Sequence, residues 1–142
     1  MLKPMFPQTF DQMLARAKAN MPKRRKRPDD EEHRIQCACV NWFRLQYPQH
    51  AHNLFAVPNG GKRDKTTAAK LKAEGALPGV SDLILLLPNS RYHAMLIEMK
   101  TDTGRQSDSQ RKWQQSIQAD GYYYVVCRSV EDFIEEVTFY ID

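Results

Sequence analysis

The sequence predicts an α/β domain, a central mixed β-sheet flanked by helices. Three observations carry this. From residue 30 onward, helical and strand-like stretches alternate in the order α-β-α-β-β-α-β-α. Two of the strand-like stretches are adjacent and separated by the turn signal Pro88-Asn-Ser-Arg91, which makes them a hairpin. The 142 residues, 42% of them hydrophobic, suffice for one packed core without disulfide or metal staples.

Residues 9–20 form a short helix capped by Thr9, with Phe10, Met13, Leu14 and Ala17 on one face that can dock on the domain or on a partner. Asn20 and Pro22 end it. The run Lys23-Arg-Arg-Lys-Arg27 before Pro28 is too charged to bury itself and reads as a linker, so residues 1–28 form a basic extension and 29–142 the domain. Residues 30–47 are a long helix with acidic residues at its positive end and the apolar stripe Ile35, Cys39, Trp42, Phe43; Tyr47-Pro48 closes it. Asn53–Val57 is a short strand running into the turn Pro58-Asn-Gly-Gly61. Residues 64–74 are helical, stopped by Gly75. The hairpin strands are Ser81–Leu87 and Tyr92–Lys100. Ser107 caps a helix that Gly121 stops, Tyr122–Cys127 is a strand with Tyr123 inward, and Ser129 caps a last helix to Glu136.

Charge is unevenly spread. Residues 1–30 hold eight Lys/Arg against three Asp, whereas residues 31–142 hold thirteen against fourteen Asp/Glu. A basic leader on a nearly neutral domain either draws the protein to polyanions or serves only as a solvated tail. No apolar run approaches the ~20 residues of a membrane span, and Met1–Phe10 lacks a secretory signal's apolar stretch. The three cysteines, Cys37, Cys39 and Cys127, read as reduced thiols of a cytoplasmic protein.

The hairpin carries the chemistry. Its first strand, Leu83-Ile-Leu-Leu-Leu87, is continuously apolar and expected to be buried on both faces, yet Asp82 stands at its mouth. The second runs Ala94-Met-Leu-Ile97 and then changes to Glu98-Met-Lys100, where Glu98 and Lys100 share a face. A turn centred near Asn89–Ser90 sets Asp82 across from Ile97 or Glu98. Two carboxylates and an ammonium then converge. Close carboxylates repel and burial raises their pKa, a conflict that a hard divalent cation such as Mg²⁺ resolves. Lys100 beside it would orient or deprotonate an attacking water or screen charge on a phosphate. Spacing alone equally allows a Glu98–Lys100 salt bridge with Asp82 merely capping a turn.

The pattern Pro78-Gly-Val-Ser-Asp82, fifteen residues, Glu98-Met-Lys100 resembles the PD-(D/E)XK nuclease signature. Within that superfamily residues 30–135 resemble the VRR-NUC group. The matching stretches are Glu32-His-Arg-Ile-Gln36, Pro58-Asn-Gly-Gly-Lys-Arg63, Gly75-Ala-Leu-Pro-Gly-Val-Ser-Asp-Leu83, Leu96-Ile-Glu-Met-Lys100, Gly104-Arg-Gln-Ser107, Gln110 and Gly121-Tyr-Tyr. The resemblance implies a restriction-endonuclease-like core with Asp82, Glu98 and the Met99 carbonyl as metal ligands. Glu32 completes that set, with its neighbour Glu31 as a competitor. Lys100 becomes the catalytic lysine, Gln110 a residue that positions water or lysine, and Gln36 a support for Glu32. Gln36, Asn59, Lys62, Arg63, Lys65 and Arg105 would contact nucleic acid, together with the leader residues Lys23, Arg24, Arg25, Lys26 and Arg27.

The implied activity is metal-dependent (Mg²⁺ or Mn²⁺) hydrolysis of DNA phosphodiesters by in-line attack of water. Stand-alone members of this size resemble phage and bacterial Holliday-junction resolvases of recombination and repair, which act as homodimers. Flaps, forks or linear duplex are alternative substrates, and a catalytically silent DNA-binding accessory protein is the alternative of another class. Other residues carry no function at this level. His50 and His52 read as exposed loop residues, His33 as a surface helix residue, and Cys37 and Cys39 diverge on their helix. Trp42, Phe43 and Trp113 are core or packing residues.

Overall fold

A computed structural model describes residues 9–21, 29–58 and 64–142 of the chain. Its elements run α1 (Phe10–Ala19), α2 (Asp29–Gln46), a 3₁₀ turn (Pro48–Asn53), β1 (Leu54–Ala56), α3 (Lys65–Ala73), β2 (Leu83–Leu85), β3 (Met95–Met99), α4 (Asp108–Ala119), β4 (Tyr123–Cys127) and α5 (Val130–Ile141). The four strands make one mixed sheet in the order β1-β2-β3-β4. The first three are antiparallel neighbours, and β4 lies parallel to β3 because α4 carries the chain back across the sheet.

Strand alternation divides the sheet into two faces. Leu83, Leu85, Met95, Ile97, Met99, Val125 and Cys127 join the main core with Ile35, Ala38, Cys39, Trp42 and Phe43 of α2 and Phe133, Ile134 and Val137 of α5. Residues of the other parity, Ala94, Leu96 and Tyr124 with Ile84 and Val126, meet Trp113 and Ile117 of α4 in a smaller cluster. α1 packs on α2 and α5, burying Met13 and Ala17, and Lys18 pairs with Glu131 at 2.8 Å. The amphipathic face read from the sequence of 9–20 therefore docks on this same body.

The caps are as the sequence predicts. Thr9, Ser107 and Ser129 each accept a backbone N–H three residues on, at Gln12, Gln110 and Asp132. The strands differ from expectation. β2 ends at Leu85 and β3 begins at Met95, so the hairpin arms are shorter than Ser81–Leu87 and Tyr92–Lys100. Hydrogen bonds to α5 explain this. Tyr140 Oη donates to the Leu87 carbonyl at 2.6 Å, and Asn89 Nδ2 donates to the Tyr140 carbonyl at 3.0 Å. Asn89 Oδ1 meanwhile accepts the N–H groups of Arg91 and Tyr92, folding the connection into a turn rather than a ladder. Leu83 and Leu85 are buried and Ile84 is half-buried, but Leu86 is 59% exposed, so burial on both faces fails beyond β2. α5 runs to Ile141 instead of stopping near Glu136, because Val137, Tyr140 and Ile141 continue its buried stripe. His50 and His52 lie in the 3₁₀ turn. Tyr123 is half-buried against the main core and Tyr124 is buried on the opposite face. Cys39 and Cys127 face the interior, where burial pushes both thiols up and keeps them inert. Among the described residues, no helix is long and apolar enough to cross a membrane.

Candidate active site

The β2–β3 register pairs Leu83 with Ile97 and Ile84 with Leu96. Continued by one residue, it sets Asp82 across from Glu98 on the face that α4 covers. Asp82 is fixed where the ladder stops. Its carbonyl accepts the Val57 N–H at 2.8 Å, and its carboxylate Oδ2 accepts the Met99 N–H at 2.7 Å. In an extended strand a residue's N–H and C=O point to the same side, so the Met99 carbonyl also turns toward Asp82.

The loop leading into Asp82 rests on α4. Gly79 has φ +91°, and a Cβ built there would lie 2.4 Å from the Ser109 carbonyl oxygen. Only glycine satisfies both the conformation and the space. Ser81 behind it is buried and donates to the Leu83 carbonyl at 3.1 Å.

Glu98 is 1% exposed. Its Oε1 accepts from Gln110 Nε2 at 2.8 Å and lies 3.3 Å from Lys100 Nζ, whose side chain is 14% exposed. Gln110 is held from its other end, since its Oε1 accepts the Ser107 N–H at 2.8 Å. That capping box fixes which way the amide faces, so the NH₂ is committed to Glu98. Glu98 Oε2 is buried and accepts no hydrogen bond, and Asp82 is the group that faces the carboxyl. Burial, and then the Asp82 charge, push the Glu98 carboxyl up to about 8, with Lys100 pulling the other way.

These observations bear directly on a cation. Two hard oxygen donors sit side by side, one carries an unpartnered buried oxygen, and a backbone carbonyl faces the same edge. Such a set suits a divalent cation that prefers carboxylate and water oxygens.

The structure thus brings Asp82, Glu98, Lys100 and Gln110 together. Among the described residues no three His, Cys, Asp or Glu side chains are grouped closely enough to hold a metal ion. α2 packs on the sheet face opposite to α4, which leaves Glu32 and Gln36 half-buried near that helix's first turns, while Glu31 is exposed. Lys65 is the first residue of α3, a helix without buried residues, and Arg105 is exposed between β3 and α4. Asn59, Lys62, Arg63 and Lys23 to Arg27 lie outside the described residues.

Sequence reading gave no role to the network beside Glu98. Gln106 Nε2 donates to Gln114 Oε1 at 2.9 Å and to Tyr124 Oη at 3.1 Å, and Trp113 packs edge-on against Tyr124. Burial and the nearby Glu98 charge push the Tyr124 phenol up. Its strand parity gave the one available signal, since residues 124 and 98 share a face.

The comparisons agree with this architecture. A VRR-NUC domain family profile matches residues 16–131. A solved structure described as a VRR_NUC domain protein superposes with a TM-score of 0.68 at 25% identity, covering 78% of this chain and 87% of that one. No curated protein matches. The chain belongs to the VRR-NUC domain family, a nuclease family of the PD-(D/E)XK superfamily.

Proposed function

We propose that this protein is a Mg²⁺- or Mn²⁺-dependent endodeoxyribonuclease that cuts branched DNA in the manner of a Holliday-junction resolvase. The observation that carries the metal reading is the unpartnered, buried Glu98 Oε2 beside Asp82. Asp82, Glu98 and the Met99 carbonyl would hold the cation, with Glu32 of α2 as the further carboxylate that completes the set. When bound, the cation supplies positive charge that acidifies water and stabilises the phosphate during in-line displacement.

The remaining steps belong to the chain. Gln110 holds Glu98 in one rotamer, and the Asp82–Met99 hydrogen bond keeps the second carboxylate aimed at the same point. Lys100 orients the attacking water and screens charge that develops on the phosphate oxygens. Lys65 and Arg105, with Gln36, Asn59, Lys62, Arg63 and the Lys23–Arg27 run, contact the DNA backbone without choosing sequence. A homodimer in the cytoplasm would supply the two sites that paired strand cuts require.

The test is cleavage of end-labelled four-way junction, flap and linear duplex in Mg²⁺, Mn²⁺ or EDTA. Paired symmetric nicks on the junction, absent in EDTA, are expected. Metal-dependent cutting of flaps or linear DNA instead replaces the substrate. Binding without cleavage by folded protein in any metal overturns the enzyme reading and leaves a DNA-binding accessory protein.

A further inference from the structure

Lys100 has a long, flexible stem, and its ammonium is useful only if that stem is held. Its backbone is anchored where the β3–β4 ladder ends, the Lys100 N–H donating to the Cys127 carbonyl at 3.0 Å. After Lys100 the chain makes the turn 101–104 and continues to Ser107 and Gln110. A Cβ built at Gly104 would lie 3.4 Å from Lys100 Cδ and 3.3 Å from Thr101 Oγ1, so this turn folds back against the lysine stem.

The turn has few apolar side chains to keep it there. Arg128 does so instead. It follows β4, and its Nη1 donates to the Thr101 carbonyl at 2.7 Å, the Gly104 carbonyl at 2.6 Å and, more distantly, the Asp102 carbonyl at 3.5 Å. The arginine's own backbone is pinned, since its N–H donates to Asp132 Oδ2 at 2.8 Å and the Asp132 N–H in turn donates to the Ser129 cap Oγ at 3.1 Å. One guanidinium therefore ties the turn after Lys100 to the start of α5. All three bonds come from Nη1, so the clamp rests on one charged nitrogen at the end of the arginine stem, and the shorter reach and different geometry of a lysine reproduce it only in part.

We propose that Arg128 is a positioning residue. It clamps the turn 101–104 over the Lys100 stem, holding the ammonium at Glu98 and setting the start of the segment that carries Gln110. The proposal rests on the nuclease reading for its effect on rate but not for the clamp itself.

The experiment uses the full chain and its Arg128→Ala and Arg128→Lys variants, alone and in a Lys100→Ala background. For Arg128→Ala, kcat falls about 10- to 100-fold, the scale of a small misplacement of a reacting group, while KM changes less than about twofold. Arg128→Lys recovers part of the loss. In the Lys100→Ala background, Arg128→Ala costs at most a small part of that loss, because the main residue through which it acts is already gone and only its effect on the Gln110 segment remains. A full additional loss in that background overturns the proposal, as does a raised KM with unchanged kcat, which marks a direct phosphate contact. The ¹⁵N heteronuclear NOE of residues 101–104 drops in Arg128→Ala while that of α4 is retained. If the wild type cleaves no DNA, the nuclease reading fails, and an unchanged NOE at 101–104 separately refutes the clamp.

Discussion

Replacing Glu98 by glutamine isolates the electrostatic cost of this site. Burial and Asp82 raise the Glu98 carboxyl from 4.5 to about 8 in the folded protein. Between those values the native state holds a proton that the unfolded state has lost, so stability falls as pH rises through that window and levels off above it. Each pH unit is worth about 1.4 kcal/mol, which places the penalty at pH 7 near 3 kcal/mol. Glutamine has nearly the same shape, keeps an oxygen for Gln110 Nε2, and never ionises. Glu98→Gln is therefore more stable than the wild type by up to about 3 kcal/mol at pH 7 in EDTA, with the gain vanishing near pH 4.5. Urea unfolding at pH 5, 6, 7 and 8, read by tryptophan fluorescence, measures it. The same variant loses cleavage. A midpoint difference that stays flat across pH, or a Glu98→Gln protein less stable than wild type at pH 8, refutes the argument that buried repulsion shapes the site.

The cation should relieve the same penalty. Titration with Mg²⁺ or Mn²⁺ at pH 7 is expected to release about one proton, read by calorimetry in buffers of different ionisation enthalpy, and affinity rises with pH up to about 8. Heat that does not depend on the buffer contradicts this. Asp82→Asn keeps an oxygen for the Met99 N–H but loses the charge, so cleavage drops by about 10³-fold or more while stability changes by less than about 1 kcal/mol. Gly79→Ala is the converse case. Its Cβ meets the Ser109 carbonyl at 2.4 Å on a left-handed backbone, and the loss is about 2–4 kcal/mol in urea unfolding; a loss below about 0.5 kcal/mol, within the range of ordinary surface changes, would show that the loop does not press on α4.

By itself the sequence determined every helix, the mixed sheet and the hairpin that sets Asp82 across from Ile97 or Glu98, of which the register selects Glu98. These depend on local rules: caps at Thr9, Ser107 and Ser129, apolar periodicity, and a turn at Asn89 that sets the register. Gln110 was read through the family resemblance, one turn past the Ser107 cap, and the capping box that fixes its direction came from the structure. Tertiary structure decided the rest. The strand ends at Leu85 and Met95 were set by hydrogen bonds to Tyr140, 53 residues from Leu87 along the chain, which no local pattern encodes. That α2 and α4 take opposite faces of the sheet was likewise decided by which strand residues each buries, Leu83, Ile97 and Met99 against α2 and Leu96 and Tyr124 against α4. Arg128 gave no signal in the sequence, since its partners are backbone carbonyls whose identity leaves no trace in residue type. Side-chain alternation and capping are short-range consequences of backbone geometry, whereas a clamp between distant carbonyls exists only after the sheet has closed.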